Sequence, residues 1–365
     1  MKIYIRLIRF AITSFVLKNN AQIKKKLNMK SFLAYFFLFI AHFSFAQEIS
    51  ETLIIDGEVN FCKPGVLNKS PGKGMLLDYR IQPNYTFKND DISTAKIENN
   101  IRFNSKLKIP IIIKPGFKLL IGFRYMIEEF NFDASDVGHS SLYASIDGRD
   151  LKTTAAAIYI SKPLNDRLYT SFRFGVSYSG NYSGFSTGQD RYATYRGVGV
   201  FGIKKSENFE YGFGLMYSKS FRNLNVLPFG FLNRTYNDKW GIEFAIPLSF
   251  KVRRNFRNGS MLLFGPQFAS RSYSLDVQNM EEEKIDIFHL RRAGVETTLT
   301  FKQRIKGWLW MEANAGYAIN LKVDVDNTET NVETKLNQSN GVYGSIGIFL
   351  SPPMKNKVCE NTHQH

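Results

Sequence analysis

The residues of this chain that could support hydrolytic chemistry are a few histidines and the serines beside them. His139 lies next to Ser140 and Ser141 in a long polar segment, and His289 begins a predicted strand. A hydrolase needs a nucleophile, a base and a group that orients the base, all within hydrogen-bonding distance. Neither histidine has an Asp or Asn partner at a spacing typical of such a triad. We therefore predict no catalytic residue and no enzyme; a lipid-modifying enzyme built on these two histidines is the remote alternative.

A second segment resembles a cofactor motif. Residues Gly197–Gly202 match the dinucleotide-binding pattern G-x-G-x-x-G. That pattern binds a pyrophosphate only as the turn between a strand and a helix. Here it lies inside a predicted strand, Tyr195–Lys204, which is followed by a turn and another strand. Small residues in a tightly packed wall explain the match, so we predict no cofactor.

Two acidic clusters could supply oxygen ligands for a divalent cation. One comprises Asp324, Asp326 and Glu329, and the other is the run Glu281–Glu283. Calcium and magnesium prefer such ligands, and these loops could also bridge cation-linked lipopolysaccharide. Neither cluster has the spacing of an EF-hand, so we interpret both as solvated loops and predict no metal site.

Strands must position these residues, because apolar and polar side chains alternate along most of the chain. In Lys96–Pro110 one face is apolar and the other is polar: Ile97, Ile101, Phe103, Leu107 and Ile109 against Glu98, Asn100, Arg102, Asn104, Lys106 and Lys108. A strand directs successive side chains to opposite sides. Many such runs in series predict an all-β fold, a transmembrane antiparallel up-and-down β-barrel with lipid outside and water inside.

The order of turns predicts the number of strands. Fourteen candidate strands lie between Met75 and Leu350, and short connections alternate with long ones if Ile246-Pro247-Leu248 is a hairpin tip that divides residues 239–255. Proline fits such a tip because it cannot donate to a ladder. We therefore predict fourteen strands. If Pro247 lay inside one long strand, the alternation would fail, and twelve is the next count.

A soluble all-β protein would also alternate, but it would have to bury the charges that recur at mid-strand. Burial of such charges in a dry core is costly unless they are paired, whereas a water-filled lumen removes the cost. The candidate lumen-lining residues are Arg80, Arg102, Arg124, Arg173, Glu243, Arg271, Glu296 and Glu312. Basic groups exceed acidic ones on this face, which predicts a bias toward anions.

The N-terminus predicts export. Residues 1–46 contain eight basic groups and no acidic group, and they include the apolar run Phe32–Phe45. We interpret them as a signal peptide cleaved between Ala46 and Gln47, with translation starting at Met29. The apolar run is shorter than the about 20 residues of a membrane-spanning helix, which disfavours an N-terminal anchor. Half of the net charge of +16 belongs to this segment, so the charge does not indicate nucleic-acid binding.

The rest of the domain organisation follows from composition. Residues 47–74 contain prolines and several glycines, and we expect an irregular segment, either a periplasmic tail or a partial plug. The predicted barrel spans residues 75–350, and residues 351–365 form a polar tail. Cys62 and Cys359 flank the barrel and could form a disulfide in an exported protein. We prefer the interpretation that they are two unrelated thiols.

Three segments resemble a known family: Val226–Pro247, Leu290–Gly294 and Gly307–Tyr317. Their turn-and-strand motifs look like those of an uncharacterised family of outer-membrane β-barrel proteins of Bacteroidota, a domain of unknown function. The resemblance spans most of the mature chain, and it implies an exported outer-membrane barrel without implying an activity or a site. Such barrels often end on an aromatic residue that the barrel assembly machinery recognises, whereas here Phe349 is followed by 16 further residues.

We therefore expect a single barrel in the outer membrane, inserted by the barrel assembly machinery and surrounded by outer-membrane lipid and lipopolysaccharide. The leading hypothesis is a non-enzymatic, porin-like pore or uptake channel for a small solute, with anion bias. The alternative is a sealed structural or surface-binding barrel.

Overall fold

The computed structural model describes residues 65–88, 94–114, 116–133, 141–220, 223–257, 259–278, 285–327 and 333–351. The predicted signal peptide, both cysteines, His139, Glu329 and the run Glu281–Glu283 lie outside the described residues, as does the tail after Ser351. No helix in the described part of the chain has the length and apolarity needed to cross a membrane.

The described residues form fifteen strands and one short α-helix, α1 (Ser141–Ile146). The first seven strands are β1 (Met75–Lys88), β2 (Ala95–Lys114), β3 (Phe117–Phe132), β4 (Leu151–Pro163), β5 (Leu168–Gly180), β6 (Ala193–Ser206) and β7 (Phe209–Ser220). The others are β8 (Asn223–Thr235), β9 (Trp240–Ile246), β10 (Ser249–Asn255), β11 (Ser260–Gln278), β12 (Ile285–Lys306), β13 (Leu309–Asn327), β14 (Glu333–Gln338) and β15 (Gly341–Leu350).

The strands close into an antiparallel barrel. From β1 to β13 each strand pairs with its neighbours in the chain, and both β14 and β15 pair with β13 on one side and β1 on the other. β14 and β15 are therefore two halves of one barrel strand, interrupted at Ser339 and Asn340. The barrel thus has fourteen strands, as predicted, and β9 and β10 meet at the Pro247-Leu248 tip on which that count depended.

The two ends of the barrel differ in their connections. At the short-turn end, where β1 begins, the strands are joined by tight turns such as Asn237–Lys239; at the long-loop end the connections are longer and one of them contains α1. Large apolar side chains cover the outer wall between these ends and remain exposed, among them Phe174, Phe213 and Leu215. An outward apolar belt of this kind is how a β-barrel spans a lipid bilayer.

One residue of the alternating pattern faces the opposite way from the prediction. The apolar face of Lys96–Pro110 predicted an outward Ile97, but Ile97 is fully buried inside the barrel. The register of β2 against β3 shifts between Ile97 and Asn99, and in the facing strand Asn84 adopts a positive φ of 47°. Such an irregularity breaks the two-residue period of a strand, so side chains beyond it change face.

At the long-loop end the barrel narrows, because β5 and β11 meet directly. Gly180 pairs with Ser274 in a parallel bridge, and the side chain of Asn181 donates to and accepts from the backbone of Asp276, both at 2.9 Å. We call this contact the seam. Strands β6 to β10 lie between β5 and β11 in the sheet, so at this level they are excluded and the remaining nine strands form the ring.

A hydrophobic core fills that nine-strand ring. Its buried members come from β1–β4, α1 and β11–β14, and none comes from β6–β10: Tyr85, Phe87, Ala95, Ile97, Met126, Phe130, Phe132, Leu142, Tyr143, Ile146, Leu151, Tyr273, Leu275, Val277, Leu290, Val323, Val325 and Leu336. The rings of Phe132 and Tyr143 lie 5.3 Å apart, so α1 packs into the centre of the core. Among the described residues, this core blocks the axis of the barrel at its long-loop end.

Candidate functional site

Directly beneath the core lies a buried network of charged side chains from opposite walls. Glu128 of β3 is fully buried, contacts Arg292 Nη1 of β12 at 3.1 Å, and accepts a hydrogen bond from the Tyr273 hydroxyl. Arg271 lies 3.8 Å from Glu128 and 3.4 Å from Glu296. Glu296 also accepts from Arg80 Nη1 at 2.8 Å, so each carboxylate contacts two guanidinium groups. Burial of these charges is tolerated because they are paired and hydrogen-bonded.

Arg80 also stacks on an aromatic ring and faces a second arginine across the β1–β2 ladder. The guanidinium carbon of Arg80 lies 3.5 Å from the ring centroid of Tyr343, whose hydroxyl bonds to Thr298. Arg102 lies directly opposite Arg80 across the β1–β2 ladder. Like charges directly opposite each other are destabilising, and the contact of Glu296 with Arg80 offsets this repulsion.

Toward the short-turn end the inner wall from β2 to β6 carries a second set of basic groups. We call it the basic wall, and its members are Lys106, Lys108, Arg124, Arg173 and Arg196. None of these five is in a salt bridge with any described residue. Lys108 and Arg173 lie on the same ring, that of Tyr159, with their charged groups 5.0 and 5.3 Å from its centroid. Lys108, Arg173 and Arg196 are exposed, so they face water inside the lumen.

Small residues line the same wall beside these cations. The ring of Tyr159 lies over Gly122, where an added Cβ would be 2.7 Å from the ring. Ala155 and Ala157 of β4 pair with Ser177 and Gly175 of β5 on the inward register. Lys106 lies directly opposite Arg124 across the β2–β3 ladder, and Arg124 Nε donates to Asn104 at 2.8 Å. The exposed members of the basic wall are therefore accessible, and none of the five is in a salt bridge with a described residue. Asp78 lies near Lys106 and Arg124 and accepts a hydrogen bond from Asn104.

At the short-turn end, residues 65–74 cross the opening of the barrel. This segment has no helix or strand, and inward carboxylates hold it: Gly65 N donates to Glu210 at 2.6 Å, Ser70 N donates to Glu243 at 2.9 Å and Lys73 Nζ contacts Glu312 at 2.5 Å. The backbone of Gly74 then donates to Leu350 at 2.8 Å. These contacts hold the segment against the inner wall at this end of the barrel.

The structure separates the eight predicted lumen-lining residues into three groups, all on the inward register. Arg80, Arg102, Arg271 and Glu296 belong to or border the buried network. Arg124 and Arg173 belong to the basic wall. Glu243 and Glu312 bind the 65–74 segment, and Arg253 Nη1 also contacts Glu243 at 3.1 Å. Their part in conduction stays a prediction.

Sequence reasoning did not single out Arg196, Lys108 or Tyr159 as site residues. The signal was present, because Arg196 shares the inward register of β6 with Val198 and Val200, and Lys108 shares that of β2 with Lys106. The sequence does not show the packing between strands that places both Lys108 and Arg173 against the ring of Tyr159.

The other motifs have structural explanations. Gly197–Gly202 lies inside β6, and an added Cβ at Gly202 would be 2.2 Å from the ring of Tyr169, so close packing requires the glycine. His289 is on the outward register of β12 opposite Ser274 and is 7% exposed. Asp324 and Asp326 lie within β13, where Arg291 contacts them at 3.8 and 2.6 Å. In the described part of the chain no three potential ligands lie close enough to hold a metal ion.

Solved structures with a similar shape are outer-membrane barrels at very low identity. A Pseudomonas aeruginosa FadL homologue shares 9% identity, with 76% of this chain and 89% of that chain covered and a TM-score of 0.40. The Pseudomonas putida toluene transporter TodX shares 8% identity over 77% of this chain and 90% of that chain, with a TM-score of 0.31. LpxR from Salmonella typhimurium shares 9% identity, with 75% and 100% covered and a TM-score of 0.26. These similarities are too low to indicate a shared function.

No curated protein matches the chain. A family model does: it matches residues 135–349, which is more than half of the chain and includes strands β4 to β13. The three segments that suggested a family in the sequence all lie within this range. The affiliation with Bacteroidota stays a prediction. The chain belongs to the family described as a domain of unknown function, DUF6268.

Proposed function

We propose that the protein is a non-enzymatic uptake channel of the outer membrane whose lumen binds a small solute through a negatively charged group. The observation that carries the proposal is the basic wall, in which five inward cations have no salt-bridge partner among the described residues. The buried network differs, because its carboxylates already offset its arginines.

Geometry favours Lys108 and Arg173 as the centre of this anion site. Both are exposed, and both are held against Tyr159, which leaves their charged groups directed at the same part of the lumen. Hydrogen bonds between ionised donors and anionic oxygens are about twice as strong as neutral ones. A bound anion would also relieve the repulsion between Lys106 and Arg124, which lie directly opposite each other.

The test compares an anion with a neutral molecule of the same shape. We would titrate 2-naphthalenesulfonate and 2-naphthalenesulfonamide into the purified barrel and follow their fluorescence, then measure their entry into cells that lack other porins. The sulfonate is expected to bind more tightly and to enter. The double variant Lys108→Gln/Arg173→Gln should lose this preference, while Lys114→Gln, an exposed lysine at the end of β2, should keep it.

Two outcomes would contradict the proposal. Equal binding of the two probes would mean that the basic wall does not recognise anions. Binding without entry would favour the second candidate, a sealed surface-binding barrel, which the hydrophobic core at the long-loop end supports.

A further inference from the structure

The barrel wall has a gap on its membrane-facing side. Strands β9 and β10 are only seven residues long, whereas their neighbour β11 has nineteen. Pairing of β8 with β9 ends at Gly230, and pairing of β10 with β11 ends at Gln267. Above the Pro247-Leu248 tip, the edges of β8 and β11 have no strand between them among the described residues.

The borders of this gap are well defined. Its floor is the hairpin tip, where Phe268 N donates to Leu248 O at 2.8 Å, and its ceiling is the seam between Gly180 and Ser274. One side is β8 from Leu224 to Phe229, and the other is β11 from Ala269 to Tyr273. At the level of the hairpin tip, β9 and β10 separate β8 from β11 by three strand spacings of about 4.8 Å, about 14 Å in all.

At this edge of β8, side chains on both faces of the strand are accessible. Val226 faces outward and is 57% exposed, as expected of the lipid belt. Leu227 is its inward neighbour and is still 38% exposed. Unpaired strand edges are costly in lipid but are tolerated where they line a cavity, and Pro228 in this strand removes one backbone donor.

A row of inward side chains joins the anion site to this gap. In the strand registers Arg173 pairs with Val198, Val198 with Met216, and Met216 with Leu227. The row is cationic at the Arg173 end and apolar from Val198 to the edge of β8. Three strand spacings separate its two ends, about 14 Å. One level lower, the rings of Phe229 and Phe231 lie over Gly214 and Gly212 and extend the apolar surface.

We infer that the gap is a lateral portal, and that the solute is an amphipathic anion that passes between the lumen and the membrane along this row. Its charged head binds at Lys108 and Arg173, and its apolar body lies on Val198, Met216 and Leu227. The hydrophobic core blocks the axial route at the long-loop end, and residues 65–74 cross the short-turn end, so the side of the barrel is the open path in the described structure. The choice of an anion rests on the proposed function; the portal itself does not.

The test closes the portal. Four residues of alternating polar and apolar character are inserted on each side of Pro247-Leu248, so that β9 and β10 continue alongside β8 and β11. The matched control carries the same eight residues after Ser186, in the exposed loop that follows β5. With decanoate as the probe, cells with the control barrel should take it up as the wild type does, and cells with the extended hairpin should take up no more than cells without the barrel. Uptake at the wild-type rate by a folded extended variant would overturn the portal.

A second measurement tests whether the portal is open to the membrane, and it needs neither a ligand nor the insertion. A nitroxide label is attached at Leu227→Cys or at Ser171→Cys, an inward position three strands away from the edge of β8, in a chain whose two cysteines are replaced by serine. In lipid vesicles, membrane-dissolved oxygen should relax the label at residue 227 much more than the label at residue 171. Equal relaxation would refute the portal even if decanoate is taken up. If the wild type takes up no decanoate but residue 227 is reached by oxygen, the proposed solute is wrong and the portal stands.

Discussion

The buried charge network makes a strong prediction about stability, which we develop for Glu128→Gln. Glu128 is fully buried and contacts Arg292 at 3.1 Å and Arg271 at 3.8 Å, besides accepting from the Tyr273 hydroxyl. Glutamine has nearly the same size, so the variant creates no cavity. It removes the negative charge and leaves three arginines of the network, Arg80, Arg271 and Arg292, with one carboxylate, that of Glu296.

The expected loss follows from that geometry. Removal of one partner of a buried ion pair costs about 3–5 kcal/mol, because the other charge remains buried without compensation. The glutamine carbonyl can still accept one hydrogen bond, which places the expectation at the lower end, about 3 kcal/mol. That corresponds to about a hundredfold change in the unfolding equilibrium constant.

The assay is unfolding by urea in detergent micelles, followed by tryptophan fluorescence. The control is Glu98→Gln, because Glu98 belongs to β2 but is exposed, and its replacement should leave the midpoint unchanged. The double variant Glu128→Gln/Arg292→Gln should lose less stability than the sum of the two single variants, because residues in one network couple. Equal midpoints for Glu128→Gln and Glu98→Gln would refute the view that the network stabilises the barrel.

Three further predictions concern the site and the two ends of the barrel. Arg173→Gln should weaken naphthalenesulfonate binding by about 1.5 kcal/mol, about tenfold, because one charge-assisted contact is lost; fluorescence titration checks this, and unchanged affinity would remove Arg173 from the site. Gly180→Ala should destabilise the seam by about 1–3 kcal/mol through overpacking, since an added Cβ would lie 2.1 Å from the Ser274 carbonyl oxygen. Protease cleavage in the loop after β5 should therefore increase. The control Gly188→Ala, where an added Cβ would meet open space, should leave the cleavage unchanged. Glu210→Gln should speed amide hydrogen exchange in residues 65–74, because Glu210 accepts from Gly65 N and Lys69 Nζ; unchanged exchange would mean that this carboxylate does not hold the segment.

Much of the barrel could be predicted from the sequence because its signals are local. The alternation of side chains has a period of two residues, and a turn can be recognised from the types of a few consecutive residues. Pro247 shows how far this reasoning reaches, since one residue that cannot donate to a ladder divided residues 239–255 into two strands. The inward register of Arg80, Arg124 and Glu296 followed from the same period.

The same local reasoning failed where the chain departs from its period. Ile97 was assigned outward because the pattern gives no sign of the register shift beside Asn99. β14 occupies Glu333–Gln338, a segment in which Leu336 is the only apolar residue, so alternation does not predict it. In both cases the partner strand decides the outcome, because it is the partner that supplies the hydrogen bonds.

The sequence by itself determined the outward apolar belt, the charged inner face and the count of fourteen strands, since each is a repeat of short-range pattern. Only the tertiary structure decided which inner charges neutralise one another, because Glu128 and Arg292 come from strands on opposite walls. It also decided that Gly180 and Ser274 meet across the barrel, which narrows one end to nine strands and fills it with a core. Contacts between strands that are not neighbours leave no periodic pattern in the sequence. These contacts determine what the lumen can bind and where it opens.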